Sequence, residues 1–417
     1  MEVKLSYKQT DVGAIPNDWD VKRLGDLGTV VRGGSPRPAG DPRYFNGGFI
    51  PWLTVGSLTN IPTSQVFITD TATKLTEEGA KHSRTLQQGT LVIVNSGAKT
   101  LGVSKVLSIT CCANDGIAAL VNQSGGEKTF LCYFLNSQIK RLREVIAAGN
   151  DQLNLNTGRI ALIAVPFPEE NEQRAIAEAL TDVDALLGGL DQLIIKKRHV
   201  KQAAMQQLLT GQTRLPGFHG EWEVTTLGDV GEFLKGSGIK KDEVTADGLP
   251  CVRYGEIYTY HDDHIKTFAS FITPETAKKS QRLEKGDLLF AGSGETAEEI
   301  GKCVAFLWDE EAYAGGDIVI FRPSDQSSEY LGYLMNHSTI ATQKARLGQG
   351  DAIVHISARN LARLEVHLPT LTEQTAIAEV LMEMDNELAA LEQRREKTIA
   401  LKQAMTRELL TGRTRLV

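Results

Sequence analysis

Residues 171–215 read NEQRAIAEALTDVDALLGGLDQLIIKKRHVKQAAMQQLLTGQTRL, and residues 372–416 read TEQTAIAEVLMEMDNELAALEQRREKTIALKQAMTRELLTGRTRL. The second stretch is the first shifted by 201 positions. EQRAIAEAL agrees with EQTAIAEVL at seven of nine positions, and LLTGQTRL with LLTGRTRL at seven of eight. Agreement at both ends of a span this long marks an internal duplication with a period of half the chain, and the fold has to be read as two copies of one plan.

Each copy carries one apolar seam at helical spacing. Ile176, Leu180, Val183, Leu187, Leu190 and Ile194 advance by alternating steps of four and three, as do Ile377, Leu381, Met384, Leu388 and Leu391. A stripe that narrow faces another helix rather than a broad core, so the two copies are expected to pair with each other as an antiparallel coiled coil. Pro166 and Pro168 precede the first helix, Pro369 precedes the second, and Thr370 with Glu373 has the spacing of a capping box. Gly211 and Gly412 stand where a left-handed residue would end each helix. About 40 residues at ~1.5 Å each give a helix of roughly 60 Å. Gly188 and Gly189 cost about 1 kcal/mol each relative to alanine, so the first helix is expected to bend or fray there, where the second has Ala389 and Ala390. Charges of both signs, as in Lys196, Lys197, Arg198 and Glu392, Arg394, Arg395, Glu396, read as solvated outer faces.

Around these helices the chain divides into a first globule (1–168), the first helix (169–216), a second globule (217–368) and the second helix (369–417). WDVKRLGDLG at 19–28 recurs as WEVTTLGDVG at 222–231, so both globules share a lead-in. LQQGTLVIVNSG (86–97) lies over LEKGDLLFAGSG (283–294), which predicts a turn at Gly89 or Gly286, a short apolar strand and a Ser-Gly loop. FLCYFLNS (130–137) over YLGYLMNH (330–337) predicts a short helix. VPFPEENEQ (165–173) over VHLPTLTEQ (366–374) predicts a last strand feeding each long helix. The fold class is α+β: two strand-rich mixed globules separated by two long helices in a pseudo-twofold internal repeat.

With 417 residues, 41% hydrophobic and 23% charged, the chain is an ordinary globular protein of two or three domains. No apolar run approaches the ~18 residues of a membrane span. MEVKLSYKQTDVGAIP lacks the apolar core and cleavage site of a secretory leader, so a cytoplasmic location is expected. Cys111, Cys112, Cys132, Cys251 and Cys303 are odd in number without a CxxC pair and read as reduced and mostly buried. Charge is uneven: +4 over 1–168, −1 over each helical segment and −9 over 217–368, for −7 in all. A repeated frame carrying two diverged globules suits the reading of two different things at one separation, and DNA half-sites are such a target.

The paired EQxAIAExL and LLTGxTRL segments, the WxVxxLGD lead-ins, GGSP…YFNGGFIPWLTVGSL (33–58) and AGSGET…IGK (291–302) together resemble the specificity subunit of type I restriction-modification systems over nearly the whole chain. The resemblance implies that the globules are target recognition domains, each reading one half of a split site in double-stranded DNA. It implies that the helices are both spacer and docking surface for two modification (methyltransferase) subunits, with restriction subunits joining them. Methylation and cleavage, and with them S-adenosylmethionine, ATP and Mg, would then belong to the partners. This chain would be non-catalytic, with no cofactor or metal of its own.

Base readout needs Arg or Lys for guanine and Asn or Gln for adenine, with basic groups on phosphates. In the first globule VRGGSPRPAGDPRYFNGG (31–48) supplies Arg32, Arg37, Arg43, Tyr44 and Asn46 on a Gly- and Pro-rich loop. Lys74, Lys81, Arg84 and Lys99 are phosphate candidates as a group. In the second, FLKGSGIKKDE (233–243) supplies Lys235, Lys240 and Lys241, followed by Arg253, Tyr254, Ser293 and Glu295, the last able to accept from a cytosine amino group. His261, Asp262, Asp263 and His264 are crowded but lack further ligands for a metal. The −9 balance opposes DNA binding by the second globule alone, so a local basic face is expected there, with methyltransferase subunits supplying much of the phosphate clamp. Neither a methyltransferase motif nor a GxxxxGK[ST] loop occurs, and Gly292 with Gly294 is a lone GxG. Two other readings stay open. One is the equivalent subunit of a related restriction system with a fused methyltransferase-nuclease partner, and the other is an interaction scaffold that does not bind DNA. Neither helix shows a short tandem insertion, so a gap of about 5 to 8 base pairs is expected, at ~3.4 Å per pair.

Overall fold

A computed structural model describes residues 6–146, 155–350 and 353–416. Each repeat builds one strand-rich globule followed by one long helix, Glu170–Leu208 and Leu371–Leu409. The chain forms two compact units, residues 1–193 with 391–417, and 194–390. The division runs through both helices: each unit holds one globule, the start of the helix that leaves it and the end of the other helix. Globule and helix are therefore not separate packing units.

In the first unit a five-stranded sheet runs in the order Thr29–Arg32, Ile117–Val121, Leu91–Val94, Ser104–Leu107, Phe67–Ile68. A four-stranded one runs Lys74–Leu75, Phe45–Leu53, Cys111–Ala113, Arg84–Leu86. Leu91 to Val94 are all buried, which is why this strand reads as a continuous apolar run rather than an alternating one. The second unit repeats the plan. Gly231–Lys235, Ile318–Pro323, Leu288–Ala291 and Cys303–Ala305 make one sheet, and Val244–Thr245, Ser270–Ile272, Leu249–Val252, Tyr313–Ala314 and Gln281–Arg282 the other. The predicted short helices are Lys128–Ser137 and Ser328–Asn336. The shared lead-in closes each globule. Asp20–Arg23 pairs antiparallel with Ala164–Phe167, and Glu223–Thr226 with Glu365–Leu368, so the chain enters beside the strand by which it leaves for the helix.

The repeated text is explained by what its polar residues hold. Gln173 accepts from the Glu127 amide at 2.8 Å and donates to the Pro168 carbonyl at 2.8 Å; Gln374 does the same with Ser327 and Pro369, at 3.0 and 2.9 Å. Glu172, 1% exposed, receives Arg415 and the indole N–H of Trp19 at 3.0 Å. Glu373, also 1% exposed, receives both guanidinium arms of Arg214 at 2.5 Å. The Glu-Gln pair that opens each helix thus binds its own globule and the Arg of the TRL segment that ends the other helix. Each of these arginines also stacks on the tryptophan of the lead-in, Arg415 on Trp19 at 5.7 Å and Arg214 on Trp222 at 5.6 Å. Hydrogen bonding to Glu172 raises the already high Arg415 pKa, so the guanidinium stays charged.

A second duplicated cluster lies further along each helix. Tyr133 donates to Asp184 at 2.7 Å, and Lys402 meets the other carboxylate oxygen at 2.6 Å. Tyr333 donates to Asp385 at 2.6 Å, and Lys201 meets it at 2.7 Å. Burial alone would lower the Lys201 pKa, but the carboxylates of Asp263 and Asp385 outweigh it and the pKa is raised. With Arg395 on Asp191 at 2.5 Å and Lys197 on Glu387 at 2.7 Å, partner numbers rise on one helix as they fall on the other within each unit. Ile176, Leu180, Leu187, Leu190 and Ile194 are buried, as are Ile377, Leu381 and Leu388, while Val183, Met384 and Leu391 are partly covered.

Two local expectations fail. The first helix is continuous through Gly188 and Gly189, because a helix held along its length by packing and ion pairs tolerates about 1 kcal/mol at each glycine. Glu373 spends its carboxylate on Arg214 rather than completing a capping box with Thr370. Gly211 and Gly412 do adopt left-handed conformations, φ +69° and +67°. All five cysteines are free and buried.

Candidate nucleic-acid interface

The first globule's arginines gather where the chain crosses from one sheet to the other. Cys111–Ala113 lies in the four-stranded sheet and Ile117–Val121 in the five-stranded one, joined by Asn114, Asp115 and Gly116. Arg32 ends the strand paired to the second of these, and Arg84 begins the strand paired to the first. Arg32 donates its Nε to the Asp115 carbonyl at 2.6 Å, and Arg84 donates its Nε to the Arg32 carbonyl at 2.7 Å. The Asp115 carboxylate accepts from Ser35 at 2.7 Å and from Arg37 at 3.5 Å. Gly33 fits here because a Cβ would stand 2.1 Å from the Asn114 carbonyl oxygen.

The other first-globule residues do not share this position. Arg43 closes its fork on Asp41, at 3.1 Å from Nε and 2.6 Å from Nη2, and that hydrogen bond holds the Asp41 carboxyl below the usual range. Tyr44 packs on His82 at 5.1 Å. Asn46 is exposed in a left-handed conformation, φ +59°. Lys74 is exposed, and Lys81 pairs with Glu78 at 3.1 Å, which raises the Lys81 pKa. Lys99 lines a cleft with Leu187, Asp191 and Arg395, against the helices.

In the second globule the same crossing is made by Gly315, Gly316 and Asp317, and the backbone bonds match. Gly33 donates to the Ile117 carbonyl as Gly236 does to Ile318, and Gly34 to Ala113 as Ser237 does to Ala314. Lys235 therefore stands in the place of Arg32, Gln281 in that of Arg84 and Gly316 in that of Asp115. Lys240 and Lys241 are exposed beside the Glu243–Lys279 pair.

Arg253 and Ser293 are turned to internal work. Arg253 donates its Nε to Glu256, which is 3% exposed and otherwise has the Ser270 hydroxyl but, among the described residues, no cation beside it; Ser293, 8% exposed, bonds His355 at 2.9 Å. Tyr254 and Glu295 line a cavity of about 1130 Å³ with Asp262, Asp263, Glu298 and Glu299, and Lys201 and Lys302 offset part of that negative charge. Lys344 also lines it; burial pushes its ammonium down to about 8. Burial lowers the pKa of both His261 and His264, and His264 bonds the Glu329 carbonyl at 3.2 Å.

Sequence reasoning missed Asp115, Gln281 and the exposed aromatics Phe49 and Tyr260. Gln281 was within reach, since the overlay of LQQG on LEKG places Arg84 on Gln281 two residues upstream. Asp115 had no local signal; it becomes relevant only when three strands meet.

The family model for the type I restriction modification DNA specificity domain matches the chain twice, over residues 16–196 and 219–401. The chain belongs to this family. Both matches span a globule and most of its helix, so the family's unit is the repeat itself. Among relatives of this specificity family, the MjaVIII specificity subunit of Methanocaldococcus jannaschii is 24% identical over 99% of this chain and 96% of its own. The MjaIX subunit of that organism is 24% identical over 70% of each, and the EcoKI specificity subunit of Escherichia coli is 20% identical over 70% of this chain and 65% of its own. Among solved structures, the type I S subunit from M. genitalium matches with TM-score 0.60 at 15% identity, covering 94% of this chain and 96% of its own. A chain from a study of complex assembly in the type I R-M system matches with TM-score 0.56 at 16% identity, covering 95% and 99%. Those likenesses concern the fold. Among the described residues no helix is long and apolar enough to cross a membrane.

Proposed function

We propose that this chain is the sequence-specific DNA-binding specificity subunit of a type I restriction-modification complex, reading a bipartite target with one domain per half-site. The observation that carries the reading is the contrast inside the duplication. The Glu-Gln, Asp, Tyr, Lys and Arg clusters that join globule to helices are kept in both copies, whereas the same crossing of the sheets carries Arg32 and Arg84 in one copy and Lys235 and Gln281 in the other. A frame kept constant under a changing polar edge is what two different half-sites require. The helices pair as an antiparallel coiled coil whose length sets the gap; the opposed runs of ion-pair partners and the buried seam support this. The chain has no catalytic role. Two methyltransferase subunits dock on it, restriction subunits join them, and adenine methylation or cleavage is theirs, with S-adenosylmethionine, ATP and Mg. Those partners supply much of the phosphate clamp that the −9 second domain lacks.

The test is a genome-wide map of methylated adenines in the source cell, with and without this gene. The expected result is loss of one split motif, two short half-sites around a fixed gap. An unchanged map in a cell that expresses the modification subunits would reject the proposal.

A further inference from the structure

The two arginines at the sheet crossing are held in an unusual way for exposed cations. Each gives its Nε to a main-chain carbonyl, Arg32 to Asp115 and Arg84 to Arg32. Among the described residues neither terminal nitrogen of either side chain has another polar partner. The Arg32 carbonyl ends a strand fixed by the Arg32↔Ala118 pairing, and the Asp115 carbonyl lies in the three-residue turn between two paired strands, where the Asp115 amide and carboxylate both bond Ser35; Ser83 bonds the Gly34 carbonyl at 2.7 Å. An arginine tethered at Nε on a strand keeps its Nη1/Nη2 fork pointed outward with little freedom left to lose. Guanine offers O6 and N7 side by side in the major groove, two acceptors that match such a fork.

From this geometry, and resting on the function proposed above, we infer that Arg32 and Arg84 are the paired guanine readers of the first domain. Arg43 is excluded because its Nε and Nη2 are already closed on Asp41. Arg37 meets only the Asp115 carboxylate at 3.5 Å, and its side chain is 74% exposed, so it lacks a fixed direction. The second unit gives independent support. It keeps the backbone bonds of the crossing but replaces the two guanidiniums by the ammonium of Lys235 and the carboxamide of Gln281. Gln281 gives one amide hydrogen to the Arg282 carbonyl at 3.0 Å and keeps the other, with its Oε1, for an adenine edge, so the two copies present different base chemistry from one place in the frame.

The experiment uses the full chain co-expressed with its modification subunits in a host without adenine methylation, and reads the methylated motif. Wild type is expected to give a split motif with two G·C pairs in one half-site. Arg84→Ala and Arg32→Ala should each make one of those positions tolerant, lowering discrimination there by about 5- to 150-fold, with the other half-site unchanged. Arg43→Ala should leave the whole motif intact. A motif without G·C pairs in either half, unchanged guanine requirements in both variants, or relaxation in both half-sites at once overturns the inference. Absence of any wild-type motif rejects the proposed function instead. A variant that methylates nothing is read by binding of its purified complex to duplexes carrying each base in turn at the two guanine positions. Equal binding supports the inference, and a retained tenfold preference for guanine overturns it.

Discussion

Asp184 is a buried carboxylate whose loss the first unit should tolerate poorly. Its side chain is 5% exposed and receives Tyr133 and Lys402, the latter 19% exposed. Asp184→Ala leaves a mostly buried ammonium without its partner and a buried phenol with only the Thr181 hydroxyl, at 3.4 Å, to accept from it. Removing one partner of a buried pair costs about 3–5 kcal/mol; the partial exposure of Lys402 reduces this to roughly 2–4 kcal/mol. For a unit of this size that is a fall in melting temperature of about 10 °C, since each kcal/mol shifts it by about 2–4 °C. The pseudo-symmetric Asp385→Ala should cost less, because Lys201 keeps Asp263 at 3.3 Å. Asp184→Leu combined with Lys402→Met should recover most of the loss, because neither charge then remains buried. Scanning calorimetry of the full chain measures all three. Equal losses for Asp184→Ala and Asp385→Ala, or a double variant as unstable as the two single changes added together, would refute the argument.

Two further predictions follow from buried groups and backbone conformation. Lys344 is 2% exposed with its ammonium lowered to about 8 from 10.5, so above pH 8 the folded state binds fewer protons than the unfolded one and stability from this group rises with pH. Between pH 7 and 10 the gain is on the order of 2 kcal/mol, and comparing the pH dependence of urea unfolding in wild type and Lys344→Met isolates it; parallel profiles would remove it. Gly188→Ala and Gly189→Ala should each stabilise by up to about 1 kcal/mol, since the helix is continuous there and a Cβ meets nothing within 4 Å. Gly412→Ala should instead destabilise by more than about 1 kcal/mol, its φ being +67° and its Cβ falling 2.5 Å from Pro16. Thermal unfolding of the three variants distinguishes the signs.

The architecture was legible because duplication leaves a strong record. Seam positions from Ile176 to Leu391, the left-handed Gly211 and Gly412, the strand after Gly89 and the short helix at 130–137 all depend on local patterning, which sequence carries directly. The site was legible only as a region. Residues 31–48 do contain Arg32, but nothing local marks Arg32 as the residue held for readout, although both it and Arg43 are exposed arginines in the same Gly- and Pro-rich stretch. The difference is that Arg43 has Asp41 two residues away, whereas Arg32 has the carbonyl of Asp115, 83 residues away.

Periodicity and repetition are one-dimensional properties, and they already mark the protein as two copies of a globule and a helix. What the repeated words do follows from packing in three dimensions. EQ and TRL lie about 40 residues apart in each copy, but their charges meet across copies, Glu172 with Arg415 and Glu373 with Arg214. Charge pairing and side-chain direction depend on which strands and helices become neighbours, and that is set by the packing of the whole unit rather than by any stretch of the chain.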